Sequence, residues 1–171
     1  MNNLIRERKG MLILSLLVIL LPMGVGLFLW NQLPDQVPIH FGLNGQADNY
    51  AGKAFVVFGL PLLMAALQVL LLVVTMADPK GKNIAAKPFG LLLWICPLVS
   101  LFCGTMTYAK ALALPVDINL VGGLFLGLMF LVVGNYLPKC KQTYTVGIRL
   151  PWTLADEDNW AYTHRLAGKV W

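Results

Sequence analysis

The chain has 171 residues, 58% of them hydrophobic and 12% charged, with 13 Lys and Arg against 8 Asp and Glu. Soluble domains of this size carry about a quarter charged residues and under half apolar ones, so the excess apolar side chains cannot all be enclosed in one small core. Uncharged runs of 25, 24, 22 and 21 residues lie between Lys9 and Asp35 and over 54–77, 88–109 and 118–138. Each can form a helix through a hydrocarbon layer about 30 Å thick. The pattern excludes an ordinary soluble enzyme or nucleic-acid-binding domain and predicts an all-α polytopic membrane protein.

In chain order, the first span is predicted over Met11–Trp30, with Pro22 inside it. Arg6, Arg8 and Lys9 precede it, but the run ends in Leu-Phe-Leu-Trp with no small-residue cleavage site, so it reads as an anchor and not as a signal peptide. A loop, Asn31–Lys53, leads to a second span, Ala54–Met76, with Gln68 mid-span. A short polar loop, Ala77–Lys87, precedes the third span, Pro88–Tyr108. Lys110–Asn119 connects it to the fourth, Leu120–Leu137, and a tail completes the chain. Three segments follow: 1–53, the first span and its loop; 54–137, spans two to four; and 138–171, the tail. Gly123 and Gly127 give a small-xxx-small spacing that lets helices approach closely. Packing within the monomer is expected there ahead of a homodimer seam.

Of the 13 basic residues, 11 fall before the first span, between the second and third, or after the fourth; Lys53 and Lys110 are the other two. Lys- and Arg-rich short loops stay cytoplasmic, which predicts a bacterial cytoplasmic membrane protein with both termini inside. The basic excess is then a topology signal, and direct nucleic-acid contact is not expected. Cys96, Cys103 and Cys140 offer neither a disulfide framework nor metal-ligand spacing. No ionisable residue lies well inside a span, which weighs against ion-coupled transport. No H-E-x-x-H pair occurs, and His40 and His164 fall on opposite predicted faces of the membrane. No enzyme activity, cofactor or metal is expected.

Two segments are patterned beyond what linkers need. In the outer loop, Pro34 and Pro38 stiffen the chain, Val37, Ile39 and Phe41 alternate around His40 as a short extended piece, and Asn44-Gly45 suits a turn with positive φ. Asp35, His40, Asn44 and Asp48 are its candidate ligand contacts, with local hydrogen bonding onto the helix ends expected ahead of a ligand. In the tail, Gly147-Ile148-Arg149-Leu150-Pro151-Trp152 precedes a predicted helix, with Thr153 as N-cap and Asp156 as its third-position acid. Trp160, His164, Gly168 and Trp171 share one face of that helix. The face is expected to lie at the inner membrane interface, or else to dock a cytoplasmic partner, with Arg149, Trp152, His164 and Arg165 as candidate contacts.

These segments resemble the SdpI family, bacterial membrane proteins named for immunity to the sporulation-delaying protein toxin. The loop resembles the domain of unknown function at the N-terminal end of that family, through Leu33, Pro34, Asp35, Pro38, His40, Phe41, Gly45, Asp48 and Lys53. The tail resembles the family signature through Gly134-Asn135-Tyr136, Lys139, Gly147-Ile148-Arg149, Pro151-Trp152-Thr153-Leu154, Trp160 and Thr163-His164-Arg165. Leu150 stands where the family has Thr, and Thr143 where Asn is common. Family members continue into two further spans, which the resemblance implies are missing beyond Trp171.

The resemblance implies toxin immunity, with an extracellular peptide toxin as outer partner and a cytoplasmic repressor held at the membrane as inner partner. The expected function is protection from, or sensing of, an extracellular peptide or envelope stress by binding within the membrane lipids. The alternative is a transporter subunit exporting a hydrophobic toxin or lipid.

Overall fold

The computed structural model describes residues 6–171. Four helices are long and apolar enough to cross a membrane: Lys9–Phe28, Phe55–Met76, Ala86–Ala111 and Ile118–Lys139, with mean hydropathies of 2.6, 2.6, 2.0 and 2.0. We label Lys9–Phe28 α1, Leu60–Met76 α2, Ala86–Ala111 α3 and Ile118–Tyr136 α4. The chain is a multi-pass membrane protein. Leucines such as Leu17, Leu63 and Leu124 stay exposed along the helices, an arrangement suited to a hydrocarbon solvent in which only backbone polar groups must be enclosed.

Two compact units emerge. The first holds Ile13–Gln68 and Trp94–Phe125; the second holds the residues up to Leu12, Val69–Leu93 and Leu126–Trp171.

In the first unit, α1 and α3 meet through small residues and two interhelical hydrogen bonds. Tyr108 Oη donates to Pro22 O at 2.9 Å, and Ser100 Oγ donates to Ile19 O at 2.9 Å. Proline supplies no backbone N–H and disturbs the local ladder, and carbonyls near it serve here as acceptors for the neighbouring helix. A Cβ on Gly104 would lie 2.7 Å from Pro22 Cβ, and one on Gly26 would overlap Tyr108 Oη. The second span opens with a π-helical stretch, Phe55–Gly59. Pro61 cannot donate to the carbonyl four residues before it and would crowd it, and the wider turn relieves both problems.

The loop after α1 is more ordered than a loop. Strands β1 (Gln36–Phe41) and β2 (Ala47–Gly52) pair antiparallel, with Val37 opposite Ala51 and Pro38 opposite Tyr50, and with bulges on either side of His40. The expected extended piece is β1, and Gly45 takes φ +73 in the turn. β2 is an addition to the sequence reading, since Ala-Asp-Asn-Tyr-Ala-Gly has low strand propensity. Val37 and Leu33 anchor the hairpin in a core with Val56, Val57 and Tyr108.

Gly123 and Gly127 correct the sequence expectation. No atom lies within 4 Å of a Cβ built on either, nor on Gly122, whereas Gly26 and Gly104 are the close-packing glycines where α1 meets α3. Gly104→Val is expected to lower the yield of folded protein and its melting temperature in detergent, by about 1–3 kcal/mol of overpacking. Gly123→Val and Gly127→Val should melt as wild type. Equal damage at all three positions would refute this assignment.

In the second unit, Leu72, Ile84, Phe89 and Leu93 form a core joined by Met11, Leu12 and Val146. The tail contributes two helices, α5 (Pro151–Ala155) and α6 (Glu157–Val170). The helix boundary differs from expectation. Asp156 itself caps α6, accepting from Asp158 N at 2.7 Å and Asn159 N at 3.2 Å, while Thr153 lies in the separate one-turn helix before it.

Candidate functional site

Residues 140–150 adopt no helix or strand, yet their backbone is held at nearly every step by buried side chains. Asp78, in the loop after α2, accepts from Lys80 N at 2.8 Å through one carboxylate oxygen. Through the other it accepts from Tyr144 N at 2.9 Å and from Thr145 Oγ1 at 2.7 Å. Gln142 donates to Thr153 O at 2.8 Å and Leu154 O at 3.1 Å, and its amide oxygen accepts from Lys80 Nζ. Asn83 donates to Gln142 O at 2.9 Å, and Thr143 Oγ1 closes a short turn on Val146 O at 2.8 Å. Buried backbone groups need such partners where no ladder supplies them.

The Gly-Ile-Arg-Leu-Pro-Trp-Thr run then docks on α6. His164 is 1% exposed and stacks on Trp160, ring centroids 4.0 Å apart. Its Nδ1 faces Trp160 O at 2.8 Å, and Ile148 N–H points at Nε2 from 2.9 Å. A carbonyl only accepts and an amide N–H only donates, so Nδ1 carries the proton and Nε2 the lone pair. The ring is therefore neutral. Burial pushes its pKa below the usual value, against the smaller opposing pull of the Trp160 carbonyl.

Gly147 makes this approach possible. Its φ is +117, and a Cβ there would lie 2.6 Å from both His164 Nε2 and the Trp160 ring. Trp160 Nε1 donates to Cys140 O at 2.8 Å. Thr153 Oγ1 accepts from Leu150 N at 2.9 Å and has Ile148 O as its nearest acceptor, at 2.8 Å.

The face of α6 expected at the lipid interface is thus occupied by the chain itself. Trp160 and His164 face the 147–148 segment, Gly168 crosses Pro138 and Gly134, and Trp171 packs edge-on against Phe130 at 5.5 Å. The apolar side chains left exposed are Tyr162, Leu166 and Val170 on α6, with Tyr144, Leu150 and Trp152 before it and Trp171, in part, after it. Trp152 is 56% exposed and is not packed under the helix. Arg149 is exposed and donates to Tyr144 O at 3.0 Å; Arg165 is exposed beside a cavity that also includes Lys139 and Lys141. Burial pushes the Cys140 thiol pKa up, which makes it a poor nucleophile.

The candidate residues of the outer loop cluster in the first unit. His40 Nδ1 and Asp48 Oδ1 are 2.5 Å apart on the exposed hairpin, which leaves Nε2 toward solvent. Asn44 Oδ1 accepts from Gln46 N at 3.0 Å and fixes the turn, and Asn119 Nδ2 donates to Leu43 O at 2.9 Å. Asp35 pairs with Lys53 Nζ at 3.1 Å, and that ammonium lies 5.2 Å from the centre of the Trp30 ring. Among the described residues no group of three or more His, Cys, Asp or Glu is placed to hold a metal ion.

Sequence reasoning missed Asp78 and Gln142. Asp78 had one readable signal, as the sole acid in a loop that otherwise carries Lys80, Lys82 and Lys87.

Both sites coincide with segments that family comparison identifies. The domain of unknown function DUF1648 matches residues 17–65, which contain the hairpin, and the SdpI/YfhL protein family matches residues 139–171, which contain the tail segment of the other site but not Asp78, Lys80 or Asn83. The chain is also similar to the Immunity protein SdpI of Bacillus subtilis (strain 168), 27% identical over 162 residues that cover 92% of this chain and 74% of that protein. Both ends of the chain thus resemble the SdpI family, in the expected order. No solved structure matches it.

Proposed function

We propose that this chain is an immunity protein of the SdpI family that shields its host from an extracellular peptide toxin, or from a related envelope stress, by binding and without covalent chemistry. The similarity to the Bacillus subtilis immunity protein across 92% of the chain carries the reading. The side-chain geometry supports binding over catalysis. His164 has both ring nitrogens engaged by backbone groups, so neither is available to move a proton.

In the proposed orientation both termini are cytoplasmic, as the basic split suggests. The hairpin is then the outer contact: His40 Nε2, with Asp48 holding the ring's other nitrogen, presents an oriented hydrogen-bonding group to a peptide. The inner contact is the exposed set Arg149, Trp152, Tyr162 and Leu166, beside a rigid tail. Aromatic and Arg side chains of this kind are the usual anchors of protein interfaces, and a cytoplasmic repressor held at the membrane is the partner proposed there.

Two measurements test this. In a background without native Cys, an impermeant thiol reagent should label a cysteine at Gln46 and spare one at Asn83; the reverse pattern sinks the orientation. In cells challenged with sporulation-delaying toxin, expression of the chain should raise survival. The His40→Ala/Asp48→Ala double variant should lose about tenfold of that protection at unchanged abundance in the membrane fraction, as expected for the loss of roughly 1.4 kcal/mol of binding. Absence of protection by the wild-type chain would refute the immunity reading.

A further inference from the structure

The second unit contains a cavity of about 550 Å³ whose wall includes Lys139, Lys141, Arg165, Glu157, Asn83 and Trp160. Its location is set by the chain. Lys139 is the last residue of the fourth apolar helix, and Asn83 lies in the short connection between the second and third. The cavity therefore opens where the hydrocarbon layer gives way to headgroups.

The neutral donors of this wall are already engaged. Trp160 Nε1 is bonded to Cys140 O and Asn83 Nδ2 to Gln142 O. The cations are not. The ion pairs among the described residues are His40–Asp48 and Lys53–Asp35, and Lys139 makes only a ring contact with Tyr136, at 4.9 Å. Three uncommitted cations and one carboxylate give the cavity a net positive charge. Lys139, Lys141 and Arg165 thus line one concavity, where they repel each other unless an anion lies between them.

The geometry points to a binding site for a phosphate group, supplied by an anionic phospholipid. Lys139, Lys141 and Arg165 hold the phosphate oxygens, and Glu157 accepts from a headgroup hydroxyl, which makes phosphatidylglycerol the best-fitting headgroup. Basic pockets at the ends of membrane helices recognise phospholipid headgroups in this way. Phosphate neutralisation also removes the mutual repulsion of the three cations and so fastens the tail to the end of α4. This site does not depend on the immunity reading.

The test uses the full chain in detergent, with binding read from the rise in melting temperature as short-chain lipid is titrated. Dihexanoyl phosphatidylglycerol should stabilise the wild type and dihexanoyl phosphatidylcholine should not. Each basic residue near a lipid phosphate contributes roughly fivefold in affinity, so Lys139→Gln/Lys141→Gln/Arg165→Gln should bind phosphatidylglycerol on the order of a hundredfold more weakly. Among the described residues the three side chains make no ion pair, so the lipid-free melting temperature should hold, or rise as their mutual repulsion is removed. As a second check, the charge-preserving Lys139→Arg/Lys141→Arg variant should keep the binding. Inorganic phosphate at matched ionic strength separates the sources: an affinity equal to that of the lipid would overturn the lipid as ligand and leave a free-phosphate site. Unchanged lipid binding in the triple variant, or equal stabilisation by phosphatidylcholine, would overturn the site itself.

Discussion

Gly147→Ala is expected to release the tail from its own helix. Two independent effects combine at this residue. Its φ of +117 is one that L side chains rarely adopt, and its Cβ would meet His164 Nε2 and the Trp160 ring at 2.6 Å. Backbone strain of this kind costs about 1–3 kcal/mol, and overpacking a filled site costs a similar amount. Neither neighbour can yield easily. The His164 ring is held at both nitrogens, and the Trp160 indole is tied to Cys140 O. A loss of roughly 2–5 kcal/mol, placed locally, should open residues 140–150 and expose the bond after Arg149 to trypsin. The measurement is the rate of tryptic cleavage after Arg149 in detergent, with Gly122→Ala as control, because no atom approaches within 4 Å of a Cβ there. Cleavage should accelerate more than tenfold in Gly147→Ala and stay at the wild-type rate in the control. Equal rates in all three proteins would mean that the segment is not held by this contact.

This residue also marks how far the sequence can be read. The four spans were legible within two or three residues, because long apolar runs interrupted by charge admit one physical solution in lipid. The turn at Asn44-Gly45 was legible because a positive φ selects few residue types. The partner of each tail residue was not. Hydrophobic periodicity placed Trp160 and His164 on one face of α6, but it cannot say whether that face meets lipid or protein.

The deciding residues are polar and distant in sequence. Asp78 reaches Tyr144 and Thr145 from more than sixty positions away, and Gln142 reaches α5. Side-chain bonds to irregular backbone have no period, so no pattern along the chain announces them. The same limit explains Gly123 and Gly127: their spacing permits close packing, while the contact itself went to Gly26 and Gly104, where Pro22 and Tyr108 are available as surfaces.

The order of the tail is expected to depend on pH through His164. The folded state requires the neutral ring, because Ile148 N–H needs the Nε2 lone pair and burial disfavours the charged form. Folding thus lowers the pKa from the usual 6.5. For a histidine with a lowered folded-state pKa, the unfolded tail binds more protons than the folded one as pH falls below that value. The contribution to stability is therefore complete above pH 6.5, and it declines as pH drops from 6.5 toward the folded-state pKa. Protonation also turns Nε2 from acceptor to donor and sets it against Ile148 N–H, so the two groups must part. Hydrogen exchange of the Ile148 amide, corrected for its intrinsic rate, should show protection that is flat from pH 8 to 7 and falls steadily between pH 6.5 and 5. His164→Gln can keep a side-chain acceptor toward Ile148 but has no proton to gain in this range. Its protection should be lower than wild type at pH 7.5 and flat down to pH 5. A wild-type profile as flat as that of the variant would mean that His164 is not the neutral acceptor on which this part of the tail is built.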